Sequence, residues 1–220
     1  MNTFYTWPKA VQWILALLLF AAGAYLTGKV IMYGTEHWLF YIPLLLLIVP
    51  AIQFAFTPFF RLIGLYRYLS PMLLVYAPNE KVWGLHNGTS FDYLFVLRGT
   101  PAGAPLRRRI LTYYLEGLLH LTDLVEKGEV AEETLIKGSS YFFSERTAKR
   151  LGFELVEIPS YEKYNLYFNF LDLLWKYSAA YKTLRFPNLK EAKTAQVTAG
   201  ALLRNRPQLE RLHNYLKMDK

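Results

Sequence analysis

Cysteine is absent from all 220 residues. That removes disulfide staples, thiolate nucleophiles and every cysteine-based zinc or iron–sulfur site at once. Charge is nearly absent from the first quarter of the chain: before Arg61 the only charged side chains are Lys9, Lys29 and Glu36. No period of 20–50 residues repeats and no low-complexity tract occurs, so solenoids and flexible linkers are excluded. Glycine-rich phosphate loops, a Gly-x-Ser-x-Gly elbow and the motifs of nucleic-acid binders are also missing, which leaves nucleotide, hydroxyl-nucleophile and nucleic-acid readings without support.

Apolar and aromatic residues fill that space. The chain is 53% hydrophobic and 17% aromatic, too apolar for a disordered polymer. Two runs carry no charge: Ala10–Gly28, 19 residues, and Trp38–Phe60, 23 residues. About 20 residues at 1.5 Å each cross a ~30 Å hydrocarbon core. The sequence therefore predicts a two-helix transmembrane hairpin over residues 1–60, with spans at about 10–30 and 38–60. The first run is longer than the apolar segment of a signal peptide and a second follows at once, which favours an anchor. Pro43, Pro50 and Pro58 are tolerable in a membrane helix, with a kink expected near Pro50. Trp7, Trp13, Tyr33, Trp38 and Tyr41 mark the interfaces, and Ala22, Gly23, Ala24 and Thr27 allow close helix approach.

The formal charge is +8, and setting aside the three charges before Arg61 leaves 23 basic and 16 acidic side chains in 61–220, net +7. A basic domain tethered to a bilayer has anionic headgroups within reach, and Arg61, Arg67, Arg107, Arg108 and Arg109 are the candidates to meet them. Lys29 in the turn is offset by Glu36, whereas Arg61 and Arg67 follow the second span. By this asymmetry both termini are cytoplasmic and the chain is a multi-pass protein of the cell (inner) membrane.

Residues 61–220 read as a cytoplasmic α+β domain: a small sheet followed by a helical C-terminal third. The segment after Arg61 reads as an amphipathic continuation of the second span. Leu73–Tyr76 and Lys81–His86 alternate as strands. Asn87-Gly88 between apolar runs signals a hairpin, with Phe91–Leu97 as the partner strand. Leu106–Lys127 has helical periodicity and Gly128 suits its C-cap. Thr134–Phe143 reads as a strand broken at Gly138-Ser139-Ser140, Ser144 as N-cap of a short helix stopped by Gly152, and Phe153–Ile158 as a strand. Three helices are then expected, over Tyr161–Thr183, Leu189–Arg204 and Pro207–Met218. The first has an aromatic stripe through Tyr164, Tyr167, Phe168 and Trp175, expected to face the core, and a polar stripe through Asn165, Asn169, Asp172 and Lys176 opposite it.

Three constellations bear on chemistry. His86 and Asp92 flank a tight turn, and a carboxylate that orients an imidazole is the arrangement of a general base. The His-x4-Asp box of glycerolipid acyltransferases invites comparison, but five residues separate His86 from Asp92 and no Glu-Gly-Thr-type box follows, so the resemblance fails. A hairpin turn with a polar cap is the plainer account. Ser139, Ser140 and Arg146, beside Lys149 and Arg150, form a candidate anion site, against which stands an ordinary strand bulge and N-cap. Glu116, His120 and Asp123 share a helical face, but no second histidine motif supplies further ligands, so neither metal nor cofactor is expected. The expected function is a membrane-anchored, non-catalytic subunit or adaptor of a membrane protein complex. The alternative is a membrane-bound enzyme acting on a lipid-linked or headgroup substrate through His86 and Asp92. The expected partners are the anionic bilayer surface and another membrane or membrane-associated protein.

Overall fold

The computed structural model describes residues 3–139 and 145–218. A short 3₁₀ turn, Thr3–Thr6, precedes two long antiparallel helices, α1 (Lys9–Glu36) and α2 (Trp38–Leu62). Small residues let them close: a Cβ added at Gly23 would fall 2.7 Å from the Phe56 ring and 2.9 Å from Ala55, so only glycine fits this seam. Ala16, Val30, Ile48 and Ala55 are buried with it. Leu17, Leu18, Leu26, Ile31, Met32 and Leu47 face outward and exposed. Among the described residues one helix, over Lys9–Gly34, is long and apolar enough to cross a membrane; Leu46–Leu62 forms a shorter apolar stretch. α2 runs unbroken through Pro50 and Pro58.

The rest is α+β. Strands β1 (Tyr66–Ser70), β2 (Leu73–Tyr76), β3 (Val82–Asn87), β4 (Leu135–Ser139), β5 (Glu154–Glu157) and β6 (Lys193–Thr198) form one sheet in the order β1-β2-β3-β4-β6-β5. Among the described residues only β3 and β4 pair in parallel. Their connection carries α3 (Ser90–Val96) and α4 (Ala104–Glu126), the long crossover that a parallel pair requires. Register places Trp83 opposite Ile136 and Ile136 opposite Val197, while Val75 lies opposite Leu85. This face packs on Leu115, Leu118 and Leu121 of α4 to make the main core. α5 (Glu145–Arg150), α6 (Ser160–Phe168), α7 (Phe170–Tyr181), α8 (Ala199–Arg204) and α9 (Arg206–Met218) complete the domain.

Several expectations are corrected. The segment after Arg61 does not continue the helix: α2 stops at Leu62, Gly64 takes φ +81°, and β1 begins two residues later. Asn87-Gly88 does not turn a hairpin. Thr89 and Asp92 form a capping box that starts α3, so Ser90–Val96 is helical where a strand over Phe91–Leu97 was expected. The helix expected over 161–183 is interrupted at Asn169, whose amide bonds back to the Asn165 carbonyl at 2.7 Å. Leu189–Arg204 is not one helix either. Thr194, Ala195, Gln196 and Val197 fill the gap between β4 and β5, and strand pairing on both sides overrides the helical propensity of Lys and Ala. Helix resumes only at α8, capped by Thr198, whose side chain accepts from the Ala201 N–H. Gly128 and Gly152 take the positive φ expected of helix stops. The expected N-cap Ser144 lies outside the described residues.

Candidate functional site

The chemistry-bearing residues gather where the helical pair meets the sheet. Three polar side chains of the apolar helices, Gln12, Gln53 and Thr57, make their hydrogen bonds here. Gln12 donates to the carbonyls of Trp7 (2.7 Å) and Tyr5 (3.2 Å) and so ties down the N-terminal turn. The Thr57 hydroxyl sits between the Gln53 carbonyl (2.6 Å) and Thr89 Oγ1 (2.9 Å). Gln53 donates to Asn169 Oδ1, which fastens α2 to the elbow between α6 and α7. Apolar contacts reinforce the junction: Phe4 is fully buried and packs edge-on against Phe91 with centroids 5.3 Å apart. Phe54 lies at 5.3 Å on the same Phe91 ring. The Arg61 guanidinium is held between the rings of Tyr5 (3.4 Å) and Tyr68 (4.1 Å).

Asp92 is at the centre and has no exposed surface. Its Oδ2 accepts from the Thr89 N–H (2.9 Å), the Thr89 hydroxyl (3.0 Å) and the Tyr68 hydroxyl (2.7 Å). Burial raises its pKa above the carboxylate norm, opposed by the hydrogen bonds from Tyr68 and Thr89 and by the charge of Arg61. Burial also raises Tyr68 well above the phenol norm, with Asp92 adding to the effect.

His86 has a different setting. Gly84, two residues earlier on β3, leaves room for the imidazole to lie along the sheet: Nε2 comes within 3.3 Å of where a Cβ would be. The ring stacks on Tyr76 at 3.9 Å and 12°, and Tyr76 stacks on Tyr66 at 4.6 Å and 19°. Burial lowers the His86 pKa to about 4, so the imidazole is neutral at physiological pH. The hydrogen bonds of Asp92 go to α3 and β1, and the structure does not join His86 to Asp92.

The other candidates are dispersed. Ser139 ends β4, beside β3, where Gly138 lies opposite Leu85. Ser140 and the side chains of Ser139 and Arg146 lie outside the described residues. Arg67 stacks over Trp83 at 5.1 Å and reaches Glu129 at 3.4 Å. Arg107 donates to the Ala180 carbonyl at 2.8 Å, near the end of α7. Arg108 donates from Nε and Nη2 to the Leu216 carbonyl near the end of α9 (2.9 and 2.7 Å). Three arginines at a helix start are thus offset in part by the negative ends of two other helices. Arg109 bonds Thr100 at 2.9 Å. Glu116, His120 and Asp123 diverge to His213, the Leu69 carbonyl and Arg206. Among the described residues no group of three or more such side chains could hold a metal ion.

One buried group escaped the sequence. Asp172 and Lys176, in the polar stripe expected opposite the core-facing one, form an ion pair with 6% and 8% side-chain exposure. Ser90 and the Trp175 indole N–H bond the same carboxylate, and Lys176 also donates to the Gly88 carbonyl at 3.3 Å. The signal available was the i, i+4 spacing of opposite charges; nothing in it says which way the stripe points. No family model, curated protein or solved structure matches the chain.

Proposed function

We propose that this chain is a membrane-anchored, non-catalytic subunit of a membrane protein complex. In this reading α1 and α2 both cross the cell (inner) membrane as a hairpin and hold the basic domain at its cytoplasmic surface. The observation that carries it is the weld at the hairpin base. Phe4 and Tyr5 precede α1, yet they pack on Phe91 and Tyr68 of the domain. If α1 leaves through the bilayer, α2 has to bring the chain back, since both ends of the pair meet the same domain. Lys9, Arg61 and Arg67 lie at that end, and the preference of positive charge for the cytoplasmic side supports this orientation.

The non-catalytic part is supported by the commitments of the candidate acid–base groups. Asp92 caps α3 and receives Tyr68, while a neutral His86 is held in a ring stack. A hairpin joined rigidly to a domain transmits position, which is what an adaptor does. Purification of the full chain from native membranes in mild detergent tests this reading. A second membrane or membrane-associated protein is expected in fixed stoichiometry, and a His86→Phe chain should replace the wild type in cells. Recovery of this chain alone, together with loss of function in His86→Phe, would favour the membrane-bound enzyme instead.

A further inference from the structure

The α6–α7 segment is an amphipathic unit turned inside out. Its polar stripe faces inward from Asn169 onward: Asn169 accepts from Gln53 of α2, and Asp172 and Lys176 pair in the interior, while Asn165 is exposed. Its aromatic stripe faces outward, with Tyr164 67%, Tyr167 52% and Phe168 43% exposed. The loop after α7 adds Leu184 and Phe186, both exposed, and Phe186 stacks with Phe170 at 6.3 Å and 16°. In a helix surrounded by water the opposite arrangement is expected, because the apolar face gains from burial and the charged pair loses by it.

Position resolves the contradiction. Gln53 lies eight residues before Arg61 on α2, about 12 Å further into the apolar part of the helix at 1.5 Å per residue. The elbow bonded to Gln53 therefore stands beside the outward apolar surface of the hairpin, above its charged base. In the same segment Lys163, Lys182, Arg185 and Lys190 are exposed, against one exposed acid among the described residues, Glu191. Arg185 lies over Tyr181 at 4.2 Å, extended along the aromatic surface.

We propose that the outward face of α6–α7 and the following loop is immersed in the headgroup layer of the bilayer that holds the hairpin, with Tyr164, Tyr167, Phe168, Leu184 and Phe186 as the embedded side chains. Tyrosine rings are suited to that depth, with an apolar body and a hydroxyl that stays hydrated. The flanking cations match anionic headgroups. The occupant of this surface is lipid, by continuity with the hairpin surface. Bilayer contact moves accordingly from Arg67 and Arg107–Arg109, which bond within the domain, to the elbow. This inference rests on the membrane reading of the hairpin.

The cysteine-free sequence makes the test direct. Single variants Tyr167→Cys, Phe186→Cys, Leu18→Cys and Arg150→Cys, each carrying a polarity-sensitive fluorophore, are reconstituted as the full chain in phosphatidylcholine–phosphatidylglycerol vesicles. The 167 and 186 labels should be blue-shifted and lose more intensity to lipids spin-labelled near the headgroup than to lipids labelled deep in the chain. The Leu18 label should respond most to the deep quencher, and the Arg150 label to neither. Aqueous 167 and 186 labels, quenched freely by iodide while the Leu18 label is lipid-quenched, would overturn the elbow proposal and leave the anchor standing. An aqueous Leu18 label would overturn both. Lipid quenching of 186 that disappears when a co-purified partner is retained would assign the face to that partner and also overturn the proposal.

Discussion

Phe4, which precedes the first long helix, lies edge-on against Phe91 of the sheet domain with ring centroids 5.3 Å apart. The N-terminal turn is thus part of the domain core, and the apolar hairpin leaves from and returns to one place. Phe4→Ala should cost about 3–5 kcal/mol, the range for a buried phenylalanine. Thermal unfolding in detergent measures this, and a change no larger than that of the exposed Leu18→Ala would refute the weld.

The hairpin seam makes opposite predictions for two glycines. Gly23→Leu places atoms where Phe56 and Ala55 already stand and should destabilise the helix pair by about 1–3 kcal/mol, as overpacking does. At Gly28 a Cβ would meet nothing within 4 Å, so Gly28→Ala should be neutral or stabilise by up to ~1 kcal/mol through helix propensity. Paired melting curves decide whether the two respond as the seam requires.

The buried pair on α7 is expected to behave as a unit. Lys176→Met leaves the Asp172 carboxylate buried without its cation and should cost about 3–5 kcal/mol, whereas Asp172→Leu combined with Lys176→Met should recover much of that loss. A double-mutant cycle from denaturant unfolding gives the coupling, and additive losses would contradict it.

His86 predicts an acid-side loss of stability. Its folded pKa is lowered from 6.5 to about 4, so between those values the unfolded chain binds a proton that the folded chain refuses. Stability therefore falls as pH drops from 6.5 to about 4 and is flat below, by about 1–3 kcal/mol for this group. Asp92, raised by burial, acts in the opposite sense: its contribution is lost as pH rises above 3.8 through its folded pKa. Comparing His86→Phe, which keeps a ring beside Tyr76, with the wild type isolates the histidine. The variant should lose less stability as the pH falls from 6.5 towards 4, and equal losses would contradict this account of His86.

Local rules explain which parts were legible from sequence. The hydrophobic periodicity of Leu106–Lys127 and the glycine stops at 128 and 152 depend on nearby residues only, and they match α4 and the positive φ values found there. Asn87-Gly88 misled because two local signals compete: a favoured hairpin dipeptide and the Thr89–Asp92 capping box, which prevails through packing under the hairpin. β6 was hidden because its strand identity comes from the neighbours β4 and β5, not from Lys193–Thr198 itself. The stripes of α6–α7 were seen, but periodicity gives the angle between two faces and not which one points inward. For the same reason the spacing of His86 and Asp92 did not reveal that one residue stacks on β2 while the other turns to β1 and α3.

In the proposed topology the domain and the N-terminal turn sit on one side of a membrane and the α1–α2 turn on the other. Single-cysteine variants Trp7→Cys, Glu36→Cys and Asn188→Cys, treated with a membrane-impermeant maleimide in right-side-out and inverted vesicles, measure this directly. Positions 7 and 188 should be labelled in inverted vesicles only and position 36 in right-side-out vesicles only. Labelling of position 36 from the same side as 7 and 188 would rule out the transmembrane hairpin.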